Sequence, residues 1–297
     1  MINTILKKAF GLILPALLLG ACSAKMNETA GCTEISVELA KGEIALSSFL
    51  GDVELVFLET NEQSIINIDD SKIVFTNESI FIKSNNEIKV FDANGRFQRS
   101  IERRGGGVGE YIGIADFYVN DITKRIEVLD KSQKKVIEYD LNGNYIEDVS
   151  LGFYAVGMAR NHKGDLLLYS GNEADADNMY KLHMIEDEAL YSFNEIDENK
   201  SHFLHVAAKA AFYEYDGREN LFFEPFNDTI YVVDNLRATP KYCVEFDDGR
   251  GNIPASVYGN RRFANIFEFF QEFNAHSYVN GVYNVIETSD NVMFHCY

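Results

Sequence analysis

Short apolar runs with an alternating polar position dominate the chain after about residue 50, and polar turns separate them. Ile88-Lys89-Val90-Phe91-Asp92 is followed by the turn Ala93-Asn94-Gly95, and Val136-Ile137-Glu138-Tyr139-Asp140 is followed by Leu141-Asn142-Gly143. Alternation with period two predicts strands. An Asn-Gly pair between two such runs predicts a hairpin, because these residues tolerate a positive φ. The pattern therefore predicts strand pairs joined by tight turns.

These turns recur at a nearly constant interval. Their acidic residues are Asp92, Asp140, Asp187 and Asp234, which are spaced 48, 47 and 47 residues apart. A fixed spacing over four units is a repeat signature, and each unit offers about four short strands. Strands this short bury both faces only when neighbouring sheets stack, which is the arrangement of a propeller. We therefore predict an all-β fold, a β-propeller of four-stranded blades; a two-sheet sandwich predicts no fixed repeat.

The predicted blades do not account for the whole chain. Four complete blades occupy roughly residues 73–246, and residues 286–297 supply only the opening strands of a fifth. Residues 255–270 break the strand pattern with apolar positions at i, i+3, i+4 and i+7, which predicts an inserted helix. These positions are Phe263, Ile266, Phe267 and Phe270. The helix is expected to pack its phenylalanine face on the propeller, and a partner-binding helix is the alternative.

The N-terminus reads as an export signal. Lys7 and Lys8 precede an apolar run over residues 9–21, which is too short to span a bilayer but suits a signal peptide. The run ends in Leu19-Gly20-Ala21-Cys22, which resembles a bacterial lipobox. The resemblance implies that Cys22 carries lipid and holds the protein at a membrane. An ordinary signal peptide followed by a chance cysteine is the alternative.

This reading divides the chain into three parts. Residues 1–21 are the predicted lipoprotein signal peptide, residues 22–34 a flexible tether, and residues 35–297 the propeller domain. Ser23 after the cysteine resembles the outer-membrane sorting pattern of lipoproteins. We therefore expect a lipid-anchored protein of the cell envelope in the outer membrane, facing either the periplasm or the cell exterior.

Charge and cysteine content narrow the possible partners. The chain carries 46 acidic and 27 basic residues, a formal charge of −19. An acidic surface repels phosphate backbones, so we expect no nucleic-acid partner. Beyond Cys22 the chain has Cys32, Cys243 and Cys296, an odd number, so at least one is unpaired or bonds another chain. A bridge between Cys243 and Cys296 is one possible pairing.

The most distinctive segment is a glycine-rich loop over residues 103–111. Glycines permit a positive φ and a close approach of backbone, but a phosphate-binding P-loop requires Gly-Lys-Ser/Thr, and here Glu110 and Tyr111 follow. The loop is either a tight blade-to-blade crossover or a ligand-facing loop in which the arginines contact an anion or a partner. The candidate contact residues are Arg103, Arg104, Gly105, Gly106, Gly107, Gly109, Glu110 and Tyr111.

No metal or cofactor site is predicted. The Asp-x-Asn-Gly turns lack the glutamate that a calcium-binding EF-hand has at its twelfth position, where Arg103 and Leu151 stand. His202 and His205 alone do not supply the three or four ligands that zinc requires. The acidic residues within 173–178 are expected to form a solvated loop, with a cation site as the alternative.

Several of these segments together resemble a known family. The lipobox, residues 53–60, the loop 103–111 and Phe226-Asn227-Asp228-Thr229-Ile230-Tyr231 resemble the six-bladed β-propeller lipoproteins common in Bacteroidetes, which are related to NHL-repeat propellers. The resemblance covers about residues 35–297 and implies a fold and an envelope location, with no catalytic residues to carry over. Six blades need on the order of 70 more residues, so we expect a C-terminally truncated member.

The sequence favours a binding role over catalysis. We expect a membrane-anchored envelope lipoprotein whose propeller is a binding or interaction module without cofactor, presenting its loops to a glycan, a peptide or an envelope protein. The alternative is a propeller-type hydrolase or lyase with a metal in its central channel. A third possibility is a degenerate fragment without function.

Overall fold

The computed structural model describes residues 24–29, 31–38, 51, 53–172, 178–196, 211–215, 219–254, 257, 263, 265–276, 278–279, 281–288 and 291–296. The described chain is mostly β and falls into two compact units, the first containing residues 43–155 and the second residues 20–42 and 156–297. The strands are β1 (Ala24–Thr29), β2 (Cys32–Val37), β3 (Lys72–Phe75), β4 (Ser79–Ser84), β5 (Glu87–Asp92), β6 (Phe97–Ile101), β7 (Asp116–Asn120), β8 (Arg125–Asp130), β9 (Lys135–Asp140), β10 (Tyr145–Ser150), β11 (Gly157–Arg160), β12 (Leu166–Tyr169), β13 (Tyr180–Glu186), β14 (Ala189–Glu195), β15 (Phe212–Tyr215), β16 (Glu219–Phe222), β17 (Thr229–Asp234), β18 (Arg237–Phe246), β19 (Val282–Glu287) and β20 (Val292–Cys296).

The first unit holds two four-stranded antiparallel meanders. Blade 1 has the order β3-β4-β5-β6, and blade 2 runs from β7 to β10. In blade 1, Ile80 and Ile82 pack with Val56 on one face, while Phe81 joins the cluster shared with blade 2 on the other. Because side chains alternate across a strand, both faces of β4 are buried, and the strand reads as a continuous apolar run. The fourth strand of each blade is more exposed.

The second unit holds the other two complete blades. Blade 3 has the order β11-β12-β13-β14. Blade 4 comprises β15 to β18, and the hairpin β1–β2 extends it to a six-stranded sheet of order β1-β2-β18-β17-β16-β15. The strands β19 and β20 form a separate two-stranded sheet, at the place where the opening strands of a fifth blade are predicted.

The predicted repeat is confirmed at the level of strands and turns. Asp92, Asp140, Asp187 and Asp234 all stand at the turn between the third and fourth strands of their blades. Ile80, Ile126, Leu166 and Leu221 all belong to the second strand. The fold class is therefore the predicted one, a β-propeller of four-stranded blades.

The N-terminal region differs from the predicted flexible tether over residues 22–34. The described residues there form β1 and the first half of β2, and these two strands pair over six positions. The strand β2 also pairs in parallel with β18, and a disulfide joins Cys32 to Cys243. The possible bridge between Cys243 and Cys296 is therefore wrong. Ile35 and Val37 point into the core of the second unit with 2% of their surface exposed, which explains why the segment is ordered.

The predicted inserted helix is present. It is α1 (Ile266–His276), which begins within the predicted stretch 255–270 and continues beyond it; most of residues 255–264 lie outside the described part of the chain. Asn265 accepts a hydrogen bond from the backbone N–H of Glu268, and its side-chain amide donates to the Glu268 carboxylate, which forms a capping pair. This cap sets the start of the helix. Phe267, predicted to face the core, is 76% exposed, while Phe269 packs edge-to-face on Phe226.

Residues 53–58 run extended along the turn of blade 1 without pairing as a strand. Val56 is buried in the face formed by Ile80 and Ile82, and the backbone N–H of Glu59 donates to the Gly95 carbonyl at 2.7 Å. Gly95 has a φ of 84°. A Cβ on Gly95 would lie 2.2 Å from the carbonyl oxygen of Phe57, so only glycine fits at this crossing.

Candidate functional site

The glycine-rich loop connects β6 of blade 1 to β7 of blade 2, so it is a blade-to-blade crossover. In each blade we call the end where the second strand turns into the third the loop end, and the opposite end the turn end. The crossover lies at the loop end, because the Tyr111 hydroxyl donates to the backbone carbonyl of Asn86, between β4 and β5, at 3.0 Å. Tyr111 is fully buried, and this burial raises the pKa of its phenol.

A set of short hydrogen bonds closes the loop on itself. The N–H of Tyr111 donates to the Arg103 carbonyl at 2.9 Å, and the N–H of Gly105 donates to the Tyr111 carbonyl at 3.0 Å. The Glu110 carboxylate accepts from the N–H of Gly107 at 2.9 Å. A Cβ on Gly105 would collide with that carboxylate at 1.9 Å. The Glu110 carboxylate therefore stabilises the conformation of the loop through a hydrogen bond within the loop itself.

Side chains of blade 2 hold the loop by hydrogen bonds. The side-chain amide of Gln133 donates to the Glu110 carbonyl at 3.0 Å and to Asp130 at 2.8 Å. Asp130 is fully buried and accepts the N–H of Ile112 at 2.7 Å. The Tyr139 hydroxyl donates to the Gly109 carbonyl at 3.0 Å, and burial raises its pKa. These contacts hold residues 109–112 of the crossover on blade 2.

The two arginines differ in their availability. The Arg103 guanidinium donates from Nε to the Gly143 carbonyl at 3.0 Å, which fixes it to the turn after β9. The Arg104 side chain is 53% exposed and makes a surface ion pair with Glu102 at 3.2 Å. Exposed pairs of this kind contribute at most about 1 kcal/mol. Arg104 is therefore the arginine that a partner can recruit.

Apolar side chains project from the same loop. Val108 is 83% exposed and Ile112 is 56% exposed, on either side of the buried Tyr111. Tyr145, 40% exposed, lies against Gly109, where a Cβ would come within 2.6 Å of its ring. We call Arg104, Val108, Ile112 and Tyr145 the loop patch. The patch combines exposed apolar groups with one cation. The loop that carries most of it is held by hydrogen bonds to blades 1 and 2.

A buried polar residue recurs at the loop end of every described blade. It stands four residues after the second-strand positions 80, 126, 166 and 220, and it is Ser84, Asp130, Ser170 and Glu224 in turn. All four are at most 8% exposed. Buried polar groups need partners, and Asp130 and Ser84 use theirs to hold backbone N–H groups of Ile112 and Asn67. The position is a repeated anchor for neighbouring loops.

In blade 4 this anchor, Glu224, is a member of an ion pair. Glu224 accepts from Lys181 Nζ at 2.9 and 3.0 Å, from Asn227 at 3.0 Å and from Asn172 at 3.3 Å. The Lys181 and Glu224 side chains are 12% and 11% exposed. Removing one member of a buried pair leaves an uncompensated charge. This cluster was not predicted from the sequence. The signal that could have indicated it is the polar residue that recurs near the end of each second strand.

A buried histidine lies beside this cluster in blade 3. His183 is 1% exposed, with Nε2 3.2 Å from the Ser170 hydroxyl and Nδ1 2.9 Å from the Ser192 hydroxyl. The Ser170 hydroxyl donates to the Tyr180 carbonyl at 2.7 Å. Burial lowers the pKa of His183 from 6.5 to about 4. The ring is therefore neutral at neutral pH and part of the structure of blade 3.

This shift predicts a loss of stability in acid. The unfolded chain binds a proton at His183 below pH 6.5, whereas the folded chain resists it until about pH 4. The stabilisation is complete above pH 6.5 and falls as the pH falls through that window, by about 2 to 3 kcal/mol at pH 4.5. Urea unfolding at pH 7.5 and 4.5 should show this extra loss in the native protein and not in His183→Gln. Equal acid losses in both proteins would contradict the assignment.

Other predicted residues lie outside the described part of the chain. These residues are Cys22, His202, His205 and the acidic residues within 173–177. Among the described residues, no group of three or more His, Cys, Asp or Glu side chains is arranged to hold a metal ion. Within the same residues, no helix has the length and apolar character needed to cross a bilayer.

Similarity to known proteins agrees with the class of protein that the blades define, a β-propeller. Residues 32–297 match the model of a family described as a domain of unknown function, DUF4934, and the chain belongs to that family. No curated protein matches the chain. The description of the family names no activity.

Several solved structures are similar to the chain, and one of them superposes well enough to show the same fold. A protein of Bacteroides fragilis NCTC 9343, named as an exported protein, superposes with a TM-score of 0.69 at 20% identity, over 86% of this chain and 72% of its own. A member of the duf4221 family from Bacteroides vulgatus ATCC 8482 has a TM-score of 0.43 at 12% identity, over 61% and 59%. A streptogramin B lyase has a TM-score of 0.43 at 12% identity, over 57% and 53%.

Proposed function

We propose that the protein is a cell-envelope lipoprotein, anchored through Cys22 to the outer membrane, whose propeller binds a partner protein through the loop patch. The observation that carries the binding role is the loop itself. Its backbone is held by Tyr111, Gln133 and Asp130, while Val108 and Ile112 are left in solvent. A rigid scaffold that presents fixed apolar groups loses little entropy when a partner docks.

The chemistry of the patch favours a protein surface as the partner. Val108 and Ile112 are aliphatic and gain free energy when another apolar surface removes them from water, at about 25 cal/mol per Å². Arg104 at the edge can exchange Glu102 for a carboxylate of the partner at little cost. Apolar groups with a charged rim are the usual composition of a protein interface.

Three observations support the envelope location. The disulfide between Cys32 and Cys243 requires an oxidising compartment. The first 21 residues have the pattern of a signal peptide that ends before Cys22. The Bacteroides fragilis chain with the same fold is named as an exported protein. A lipid on Cys22 would add about 0.8 kcal/mol of membrane affinity per buried methylene.

The test places a photo-crosslinking amino acid at Val108 in cells that produce the protein. The matched control is Ile122, which is 95% exposed but lies in the turn between β7 and β8, outside the loop patch. We expect a discrete protein adduct from position 108, none from position 122, and a loss of at least about tenfold when Ile112→Glu puts a charge into the patch. Equal adducts at both positions, or none at 108, would reject the binding role.

The anchor is measured on the same cells. The native chain should be found in the outer-membrane fraction with the mass of an acylated Cys22. The Cys22→Ser chain should lack both the added mass and the membrane attachment. If the native protein lacks the acyl mass, the lipoprotein assignment is rejected. The crosslinking result then still tests the binding role independently.

A further inference from the structure

Two lysines and a tyrosine lie together at the loop end of blade 2, outside the loop patch. Lys131 and Lys134 belong to the turn between β8 and β9, and Tyr154 follows β10 in the chain. The Lys134 ammonium lies 4.2 Å from the centre of the Tyr154 ring, and the Lys131 ammonium lies 6.0 Å from it. Tyr154 is 41% exposed, so the group faces solvent. We call these three residues the basic subsite.

The basic subsite borders the loop patch. Asp130, which accepts the N–H of Ile112, directly precedes Lys131 in the chain. Gln133, whose amide donates to the crossover at 3.0 Å, directly precedes Lys134. A protein interface of usual size covers about 800 Å² on each partner. A protein docked on the loop patch therefore also covers the basic subsite.

The Lys134 ammonium is held in place without a carboxylate. It lies over the Tyr154 ring and donates to the Gly152 carbonyl at 3.4 Å, and no carboxylate among the described residues pairs with it. The negative face of an aromatic ring attracts a cation and so orients it. The ammonium is thus positioned at the surface and can pair with a carboxylate that a partner brings.

Three carboxylates of this region are already engaged. Glu110 accepts the N–H of a loop glycine, and Asp130 accepts the N–H of the residue after Tyr111. Asp148 lies 3.6 Å from Lys135, with which it forms an ion pair. The loop end of blade 2 therefore presents cations to solvent, although the whole chain has a formal charge of −19.

We propose that the basic subsite binds an acidic segment of the partner protein, with aspartate or glutamate side chains against Lys131 and Lys134. The proposal rests on the binding role of the loop patch in the proposed function and adds the chemistry of the partner. The acidic surface of the chain repels an acidic segment except where cations are gathered, so the subsite fixes where the segment docks. The exposed Val108 favours a peptide over an acidic glycan, because only the peptide has aliphatic side chains to cover it.

The test repeats the crosslinking from position 108 in chains that also carry a charge reversal. Lys134→Glu should reduce the adduct at least about tenfold, because it sets like charges against each other, whereas Lys134→Arg should keep it. The matched control is Lys124→Glu, which should leave the adduct unchanged. Lys124 lies at the other end of β8, about 20 Å away for a strand of six residues. Lys124 and Lys134 have φ values of 56° and 54°, so both substitutions meet the same backbone conformation.

The outcomes separate this proposal from the proposed function. An absent adduct in the native chain rejects the proposed function. An adduct that survives Lys134→Glu, or that is lost equally in Lys124→Glu, overturns the basic subsite alone.

A second measurement identifies the class of partner. The purified full-length chain is titrated with a short peptide of Glu, Leu and Ser, with the same peptide carrying Gln in place of Glu, and with polygalacturonate, an acidic glycan. We expect the Glu peptide to bind at least about tenfold more tightly than the Gln peptide at low salt, and to lose this advantage in Lys134→Gln. A Glu peptide that binds no better than the Gln peptide, or more weakly than polygalacturonate, would overturn the proposal.

Discussion

Gly95→Ala is expected to lower the free energy of unfolding by about 3 kcal/mol or more, because it combines two costs at one position. The residue has a φ of 84°, which a side chain disfavours by about 1–2 kcal/mol. Its new Cβ would also meet the carbonyl oxygen of Phe57 at 2.2 Å. That oxygen is backbone, so residues 53–58 must move and withdraw Val56 from the core of blade 1. Urea unfolding at pH 7.5 measures the loss.

Two other glycines provide graded controls for this prediction. Gly152 also has a positive φ, 77°, but an added Cβ would meet nothing within 4 Å, so Gly152→Ala should cost only about 1–2 kcal/mol. Gly106 has neither a positive φ nor a neighbour within 4 Å, and Gly106→Ala should be close to neutral. The order Gly95, Gly152, Gly106 is the expected result. A Gly95→Ala loss no larger than that of Gly152→Ala would show that the crossing over the turn is not tight.

Replacing both Cys32 and Cys243 by serine is expected to produce the largest loss of stability, about 5 kcal/mol. The bridge closes a loop of 211 residues, and in the chain-entropy account such a long loop constrains the unfolded state strongly. The double variant should melt well below the native protein under non-reducing conditions. Its hairpin β1–β2 is then held only by pairing with β18 and by buried residues such as Ile35. Protease cleavage within residues 24–37 should rise as the hairpin opens more often.

The control for this variant is Cys296→Ser. Cys296 lies in β20, is half-buried and is outside the disulfide, so its replacement should change the free energy of unfolding by about 1 kcal/mol or less. Adding a reductant to the native protein should reproduce the behaviour of the double serine variant. A double variant as stable as the native protein would contradict the assignment of the bridge.

The repeat made most of the fold predictable from the sequence. Asp92, Asp140, Asp187 and Asp234 mark equivalent turns because a four-stranded meander of constant length imposes a constant spacing. The apolar stripe predicted the helix near 255–270, but it did not indicate that α1 continues to His276. The N-terminal hairpin was missed because its partner, β18, is more than 200 residues away, and no local pattern encodes such a pairing.

The candidate site was predictable only in part. The run of glycines at 105–107 marked the loop, and its role as a crossover was one of the two readings that the sequence left open. The sequence did not distinguish Arg103, held by the Gly143 carbonyl, from the exposed Arg104. The Lys181–Glu224 pair was not predicted, because its members stand 43 residues apart on adjacent blades. Such contacts depend on how neighbouring sheets pack, so the residue spacing within a single blade does not predict them.

The parallel pairing of β2 with β18 also sets the order in which the chain can be completed. In the proposed export of the chain, the N-terminal strands emerge first, yet β18 is not available to pair with β2 until residue 246 has crossed the membrane. Until then β2 exposes Ile35 and Val37, and Cys32 cannot form its disulfide with Cys243. Contacts between distant segments form slowly, so we expect the docking of this hairpin on β18 to be a late step of folding, preceded by a period in which chaperones and thiol oxidases have access to the chain.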